Sequence, residues 1–200
     1  INIAHGSVRS GKTVGTLFRF MQAVHQCPDS KIWMVGHSSD TIYQNAIRLL
    51  LEPSSDEDPL EIFRPFLTWY AGKRQLKFRD KTISTLGAKD EGAIGSFQGK
   101  SFSLAYCDEI TLYPESIIDM IDTRLSFPHS MLFASCNPSH PSHKIKQWID
   151  KAKEGDKNYD KDTKKKPTWI MVVNRKWKIK LDKNPFWHQK RPFVSAALLR

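Results

Sequence analysis

The chain has 200 residues, a length that suits one α/β domain with or without a short extension. Hydrophobic residues make up 40% of it, which allows a sizeable core, yet no apolar run approaches the roughly 20 residues of a membrane helix. Three cysteines form no disulfide framework and suit a reducing compartment, while a net charge of +10 favours a polyanionic partner.

The first predicted elements are a buried strand ending near Ala4 and an amphipathic helix over residues 13–24, where apolar side chains recur at helical spacing. Between them the sequence fits G-x-x-x-x-G-K-[ST], a phosphate-binding loop, although an ordinary turn before a helix can match the same pattern. The strand begins at Ile1 without an initiator Met, so we expect a fragment of a longer protein. The predicted nucleotide-binding residues are Gly6, Ser7, Val8, Arg9, Ser10, Gly11, Lys12 and Thr13.

Each part of this loop has a chemical reason. Glycines permit the tight turn that directs backbone N–H groups at phosphate oxygens. Lys12 brings a compact positive charge to the β- and γ-phosphates, and Thr13 offers a hydroxyl to Mg²⁺. The helix beginning near Gly11 directs its positive dipole end at the same anion.

The next elements predict a sheet with an insertion at its edge. Residues 31–36 form a second buried strand, and a helix capped by Ser39 or Asp40 extends to Leu51. Short β segments follow, which we expect to form a hairpin at the edge of the main sheet; they cover residues 66–70, 75–79 and 82–86.

An apolar strand over residues 102–107 ends in Asp108 and Glu109. In phosphate-loop NTPases such a strand delivers an Asp to Mg²⁺, and a neighbouring Glu can polarise the attacking water. Exposed acids at the end of a strand give the same pattern, so Asp108-Glu109 alone does not indicate an NTPase. The pattern becomes specific because it follows a phosphate-binding loop in an α/β alternation. We therefore predict Asp108 and Thr13 as metal ligands and Glu109 as a catalytic residue.

The remaining elements are a helix over residues 114–125, a buried strand over 131–137, a helix over 142–153 and a last strand over 168–173. The alternation predicts an α/β fold, a three-layer P-loop NTPase with a mostly parallel central sheet, of the ASCE type, in which the catalytic Glu follows the metal-linked Asp. We expect an ATPase domain over residues 1–167, and a last strand with a basic extension over 168–200.

Several short motifs follow one another in a familiar order. They are Asp90-Glu91-Gly92, Phe97-Gln98-Gly99, Asp108-Glu109, Pro114-Glu115-Ser116, Arg124-Leu125, Cys136-Asn137-Pro138 with His143, and Asp182-Lys183-Asn184-Pro185. Together with the phosphate-binding loop that contains Arg9, this order resembles the large subunit of tailed-phage terminases, the motor that packages DNA into procapsids.

The resemblance implies roles for individual residues. Lys12 and Thr13 match the nucleotide and metal ligands, and Asp108 and Glu109 match the metal-linked and catalytic acids. Arg9 matches an arginine that senses or stabilises the γ-phosphate, which makes it a second catalytic candidate. The resemblance also implies a coupling motif at a strand end that passes loss of the γ-phosphate to the DNA-gripping part; its residues are Ser135, Cys136 and Asn137.

The resemblance also implies the context of the reaction. ATP and Mg²⁺ would be bound, and the partners would be double-stranded DNA, a terminase small subunit, a portal protein and further copies in a homo-oligomeric ring, in the host bacterial cytoplasm and without a membrane. A metal-dependent nuclease domain would follow Arg200 in the full-length protein. Two alternatives stay open: a helicase-like ATPase, and a non-catalytic DNA-binding or assembly remnant of a prophage.

Two further patterns concern DNA contacts and metal binding. Residues 1–150 hold 16 basic and 16 acidic side chains, and residues 151–200 hold 15 and 5, so the excess of 10 lies at one end. We predict DNA-phosphate contacts there by Lys164, Lys165 and Lys166, with a solvated linker as the alternative. Cys136, His140 and His143 resemble half a zinc site, but the intervening prolines favour a turn, and we expect no structural metal.

Overall fold

The computed structural model describes residues 1–6, 10–53, 58–137, 142–153 and 169–172. These residues include eight strands of a single sheet. The strands are β1 (Asn2–His5), β2 (Ile32–Gly36), β3 (Leu67–Tyr70), β4 (Gln75–Phe78), β5 (Lys81–Gly87), β6 (Leu104–Cys107), β7 (Met131–Cys136) and β8 (Trp169–Val172). Their order across the sheet is β3-β4-β5-β2-β6-β7-β1-β8.

The predicted mostly parallel sheet is confirmed. The run β5-β2-β6-β7-β1-β8 pairs in parallel throughout, and only β3 and β4 contribute antiparallel pairs. All four residues of β6 are buried, as expected for a central parallel strand covered on both faces. The expected hairpin at the edge is also confirmed, and β5 connects it to the main sheet by pairing with β2.

The helices in the described residues are short except for α1. They are α1 (Lys12–Gln26), α2 (Ser39–Ile42), a π-helical turn (Tyr43–Ile47), α3 (Arg48–Leu51), α4 (Ile94–Phe97), α5 (Glu115–Arg124) and α6 (Lys144–Lys153). Short 3₁₀ turns cover Glu61–Phe66, Ala71–Lys73, Glu91–Ala93 and Ile110–Leu112. Within these described segments, no helix is both long and apolar enough to cross a membrane.

The predicted helix over residues 39–51 exists, but its expected cap was wrong. The capping residue is Ser38, whose Oγ accepts a hydrogen bond from the backbone N–H of Thr41 at 3.1 Å. In return, Oγ1 of Thr41 accepts one from the backbone N–H of Ser38 at 2.7 Å. This reciprocal capping box satisfies two backbone donors, which an Asp40 or Ser39 cap inside the helix could not do.

Helices cover both faces of the sheet, which gives the three predicted layers. On one face α1 and the helical segment 39–51 pack with larger strand side chains such as Met34, Tyr106 and Phe133. On the other face α5 and α6 pack with the alternate strand residues, among them Val35 and Ala134. The alternation follows from the two-residue period of a strand, which sends neighbouring side chains to opposite faces.

Candidate nucleotide site

The described residues at the ends of β1, β6 and β7, which include Asp108, Glu109 and Ser135, lie at the carboxyl edge of the parallel strands. β7 lies between β1 and β6 and pairs with both, with Cys136 opposite His5 and Ala134 opposite Cys107. The loop after β1 and the acids after β6 therefore leave the sheet beside the end of β7. Ligand sites of open α/β sheets lie at this edge, outside the carboxyl ends of the strands.

Helix α1 begins at Lys12, directly after the glycine-rich loop. Its N-cap is Gly11, with φ of 78°, in the left-handed region that side chains with a Cβ rarely adopt. The carbonyl of Gly11 accepts the N–H of Gly15 at 3.0 Å, so the helix is regular from its first turn. Residues 7–9, which include Arg9, lie outside the described residues, and their nucleotide-binding roles stay predictions.

Lys12 is 8% exposed at the start of α1, and its Nζ lies 3.4 Å from Oγ of Ser10. Burial lowers the pKa of Lys12, while the acidic groups of Cys136 and Glu109 act in the opposite direction. Lys12 begins α1 at the carboxyl edge of the sheet, after the loop that leaves β1, and α1 packs on β1, β6 and β7. Thr13 follows Lys12 in the first turn of the helix and is partly buried.

Asp108 is 3% exposed, and three side chains donate hydrogen bonds to its carboxylate. Oδ1 accepts Oγ of Ser135 at 2.8 Å and the hydroxyl of Tyr106 at 3.4 Å. Oδ2 accepts Nδ2 of Asn45 at 2.9 Å. Among the described residues, no Lys or Arg forms an ion pair with Asp108. A buried carboxylate held only by neutral donors suits a divalent cation nearby.

Glu109 has a left-handed backbone conformation, with φ of 49° and ψ of 49°. Such a conformation in a residue other than glycine costs about 1–3 kcal/mol, and residues of this kind cluster at functional sites, although Arg74 and Arg79 adopt it in turns of the hairpin. The backbone N–H of Glu109 donates to Oγ of Ser135 at 3.1 Å, and its Oε1 lies 3.5 Å from Nδ2 of Asn137. Both contacts come from the end of β7 and its following residue.

Among the predicted coupling residues, Ser135 contacts both acids and Asn137 contacts Glu109. Ser135 is buried and bridges the Asp108 carboxylate and the Glu109 backbone through a single hydroxyl. Cys136 is buried at the end of β7, and burial raises its pKa to about 11, with the charge of Lys12 acting in the opposite direction. Its thiol therefore stays neutral near pH 7.

The oxygen donors of this edge fit Mg²⁺ and phosphate. Asp108 supplies a carboxylate and Thr13 a hydroxyl, which are hard ligands of the kind that Mg²⁺ prefers. A lysine at a helix N-terminus and a glycine-rich turn are suited to phosphate oxygens.

Sequence reasoning missed three residues that hold Asp108 in place. Tyr106 and Asn45 donate to its carboxylate, and the hydroxyl of Tyr113 lies 2.8 Å from its carbonyl oxygen and 2.7 Å from that of Val35. Tyr106 and Tyr113 are both buried. No motif singles them out: Tyr106 and Tyr113 lie two and five residues from Asp108, and Asn45 lies 63 residues away on another element.

The remaining predicted residues lie outside the described residues or in another part of the fold. Lys164, Lys165, Lys166 and His140 lie outside the described residues. His143 accepts a hydrogen bond at Nδ1 from the backbone N–H of Ile145, near the start of α6. A different group, buried Cys27 with the hydrogen-bonded side chains of Asp29 and His129, joins two loops at the opposite, amino edge of the sheet.

The strand β7, inserted between the strand of the glycine-rich loop and the strand of the two acids, defines the class: the fold is that of a P-loop NTPase of the ASCE type. The family described as "Terminase large subunit, T4likevirus-type, N-terminal" matches residues 3–184, and the chain belongs to this family. The resemblance read from the motifs is confirmed. The curated proteins contain no match to the chain.

Solved structures with the same fold include the large terminase of a thermophilic bacteriophage. It is 23% identical with a TM-score of 0.65, over 86% of this chain and 40% of that one. Its complex with ADP has the same identity and TM-score, and the match covers 87% of this chain and 40% of that one. Its complex with ATP-gamma-S is 21% identical with a TM-score of 0.63, and the match covers 87% of this chain and 39% of that one. The chain therefore spans about two fifths of the length of these proteins.

Proposed function

We propose that this chain is the ATP-hydrolysing motor domain of a DNA-packaging terminase, which drives double-stranded DNA into a procapsid. The observation that carries the proposal is the bridge made by Ser135, which holds a buried carboxylate and an adjacent strained glutamate at the edge of the sheet where α1 begins with Lys12. The structures of the thermophilic phage terminase with ADP and ATP-gamma-S support nucleotide binding in this family.

In the proposed mechanism, the glycine-rich loop and Lys12 bind the phosphates of ATP. The N–H groups at the start of α1 and the lysine charge face the same anion. The negative charge of the phosphate oxygens would offset the cost of burying the lysine charge, which lowers the pKa of Lys12 in this structure. Arg9 would add a second positive charge at the γ-phosphate.

Asp108 and Thr13 would hold Mg²⁺, which when bound offsets negative charge on the β- and γ-phosphates. The carboxylate of Asp108 is oriented before any ligand arrives, because Ser135, Tyr106 and Asn45 all donate to it. Preorganised groups of this kind lose little energy to reorganisation during the reaction.

Glu109 would orient and polarise the attacking water. The water oxygen bonds to the γ-phosphorus, the bond from that phosphorus to the ADP oxygen breaks, and Glu109 accepts the water proton. Its backbone is fixed by Ser135, and its side chain lies near the amide of Asn137. The same two residues would transmit loss of the γ-phosphate along β7, which is the proposed coupling step.

The whole motor would act with a terminase small subunit, a portal protein and further copies of itself in a ring. These partners follow from family membership rather than from any surface of the described residues.

Three variants test the proposal. Mg·ATP should raise the melting temperature of the wild type, because a ligand that binds only the folded state stabilises it. Lys12→Ala should abolish most of that rise. Glu109→Gln should keep it while hydrolysis falls by roughly 10²–10⁴, the usual contribution of a general base, and Asp108→Asn should weaken Mg²⁺-dependent binding itself.

The measurements are differential scanning fluorimetry with and without Mg·ATP, and phosphate release in the presence of double-stranded DNA. An equal rise in Lys12→Ala and wild type would refute the nucleotide site. Binding without any turnover in the wild type, with or without DNA, would favour the non-catalytic remnant.

A further inference from the structure

Asn45 contacts the proposed metal-linked acid, Asp108, from a distant part of the chain, whereas Tyr106 and Tyr113 lie within five residues of it. Asn45 lies on the π-helical turn Tyr43–Ile47 and donates from Nδ2 to Oδ2 of Asp108 at 2.9 Å, across 63 residues of sequence. π-Helical turns are rare, and they occur frequently at functional sites.

The position of this turn is determined by close packing against the sheet. A Cβ on Gly36, at the end of β2, would lie 2.6 Å from Cβ of Ile42, so only glycine allows the helix to approach this closely. Ala46 and Ile47 of this turn are buried in the core. The neighbouring Asn45 is exposed as a whole residue, but its side-chain amide reaches Asp108 at the edge of the sheet.

The hydrogen bond from Asn45 determines how many acceptor sites remain on the Asp108 carboxylate. An ionised carboxylate offers about four lone-pair sites, two on each oxygen. Ser135 and Tyr106 occupy the two sites of Oδ1. Asn45 occupies one site of Oδ2, which leaves one acceptor site on the carboxylate among the described contacts.

We propose that Asn45 is a positioning residue that fixes the plane of the Asp108 carboxylate, so that the remaining Oδ2 site is presented to Mg²⁺ or to its water. The inference rests on the proposed function of Asp108 and goes beyond it, because Asn45 belongs to no predicted motif. Asn45 acts through Asp108 and itself binds neither nucleotide nor metal.

The test compares Asn45→Ala with a control on the same turn. Gln44→Ala removes the same amide chemistry from a neighbouring exposed residue that makes no hydrogen bond to Asp108. Binding of the fluorescent analogue mant-ATP to the full 200-residue chain is measured across a Mg²⁺ titration, and again in EDTA. Because partners of metal ligands typically change metal affinity by about 10–100-fold, Asn45→Ala should raise the Mg²⁺ midpoint about tenfold.

Binding in EDTA should be the same in wild type and both variants, and Gln44→Ala should keep the wild-type midpoint. A contact that only tethers the helix would lower the melting temperature of Asn45→Ala without moving the Mg²⁺ midpoint. A midpoint shift below about threefold, a lower midpoint, or an equal shift in Gln44→Ala overturns the inference. Absence of Mg²⁺-dependent binding in the wild type would instead overturn the proposed function.

Discussion

Removing the hydroxyl of Ser135 should affect both the stability and the chemistry of the domain. The Ser135→Ala variant loses the donor to Oδ1 of Asp108 at 2.8 Å and the acceptor of the Glu109 N–H at 3.1 Å. Ser135 is buried, so water cannot readily take over either bond. The only other contact at Oδ1 among the described residues is the longer one from Tyr106, at 3.4 Å.

The size of the effect follows from these two bonds. A hydrogen bond to a charged group contributes about 1.5–3 kcal/mol, and a bond between neutral groups contributes about 0.5–1.5 kcal/mol. Their sum predicts that the free energy of unfolding falls by roughly 2–4.5 kcal/mol. For a chain of this length each kcal/mol lowers the melting temperature by about 2–4 °C, so we expect a decrease of roughly 4–18 °C.

A matched control lies one strand away. Ser103 is also fully buried, but its Oγ has no hydrogen-bond partner among the described residues. Ser103→Ala removes the same atom from a similar environment and should leave stability unchanged or slightly increased, because it removes a polar group that pairs with nothing. Urea unfolding followed by circular dichroism measures both variants, and phosphate release measures turnover.

Turnover should also separate the two variants. Ser135→Ala frees the strained backbone of Glu109, so hydrolysis should fall by at least about tenfold while Ser103→Ala keeps wild-type activity. The reasoning fails if both alanine variants lose the same free energy of unfolding, or if Ser135→Ala hydrolyses ATP at the wild-type rate.

Two predictions concern other parts of the chain. The thiols of Cys27, Cys107 and Cys136 are all buried, and burial raises the pKa of each. Because the thiolate is the nucleophile, a thiol reagent such as DTNB at about pH 8 should react with them only after the chain unfolds. Rapid release of thionitrobenzoate by the native chain would contradict this. The logarithm of the DNA binding constant should fall linearly with the logarithm of the salt concentration, with a slope of about 0.9 for each phosphate contact. Replacing Lys164, Lys165 and Lys166 with Gln should reduce the size of that slope by about 3, similarly for all DNA sequences. An unchanged slope in fluorescence anisotropy titrations would mean that these lysines are a solvated linker.

Much of the fold was predictable because its signals are local. The apolar run of β6 and the helical spacing of α1 identify buried elements within a few residues of sequence. The glycine-rich loop and Asp108-Glu109 are short motifs whose chemistry depends on adjacent residues. Their order along the chain, with strands and helices alternating, was sufficient to predict a mostly parallel α/β sheet.

The helix cap shows where local reasoning reached its limit. Ser38, Ser39 and Asp40 are all residue types that cap helices well, so composition alone could not choose among them. The choice depends on where the chain leaves β2, and that position is determined by the close approach of Gly36 to Ile42.

By itself, the sequence determined which residues are candidates for binding phosphate and which segments would be buried. It also determined which acid is the candidate metal ligand and which is the candidate general base for water. Only the tertiary structure decided that Ser135 would join the two acids and that Asn45 would donate to Asp108. These bonds connect residues separated by 26 to 63 positions, and they depend on β7 lying next to β6 and on a π-helical turn packed beside β2. Motifs and periodicities describe neighbours along the chain, whereas strand order and helix packing determine which distant side chains meet.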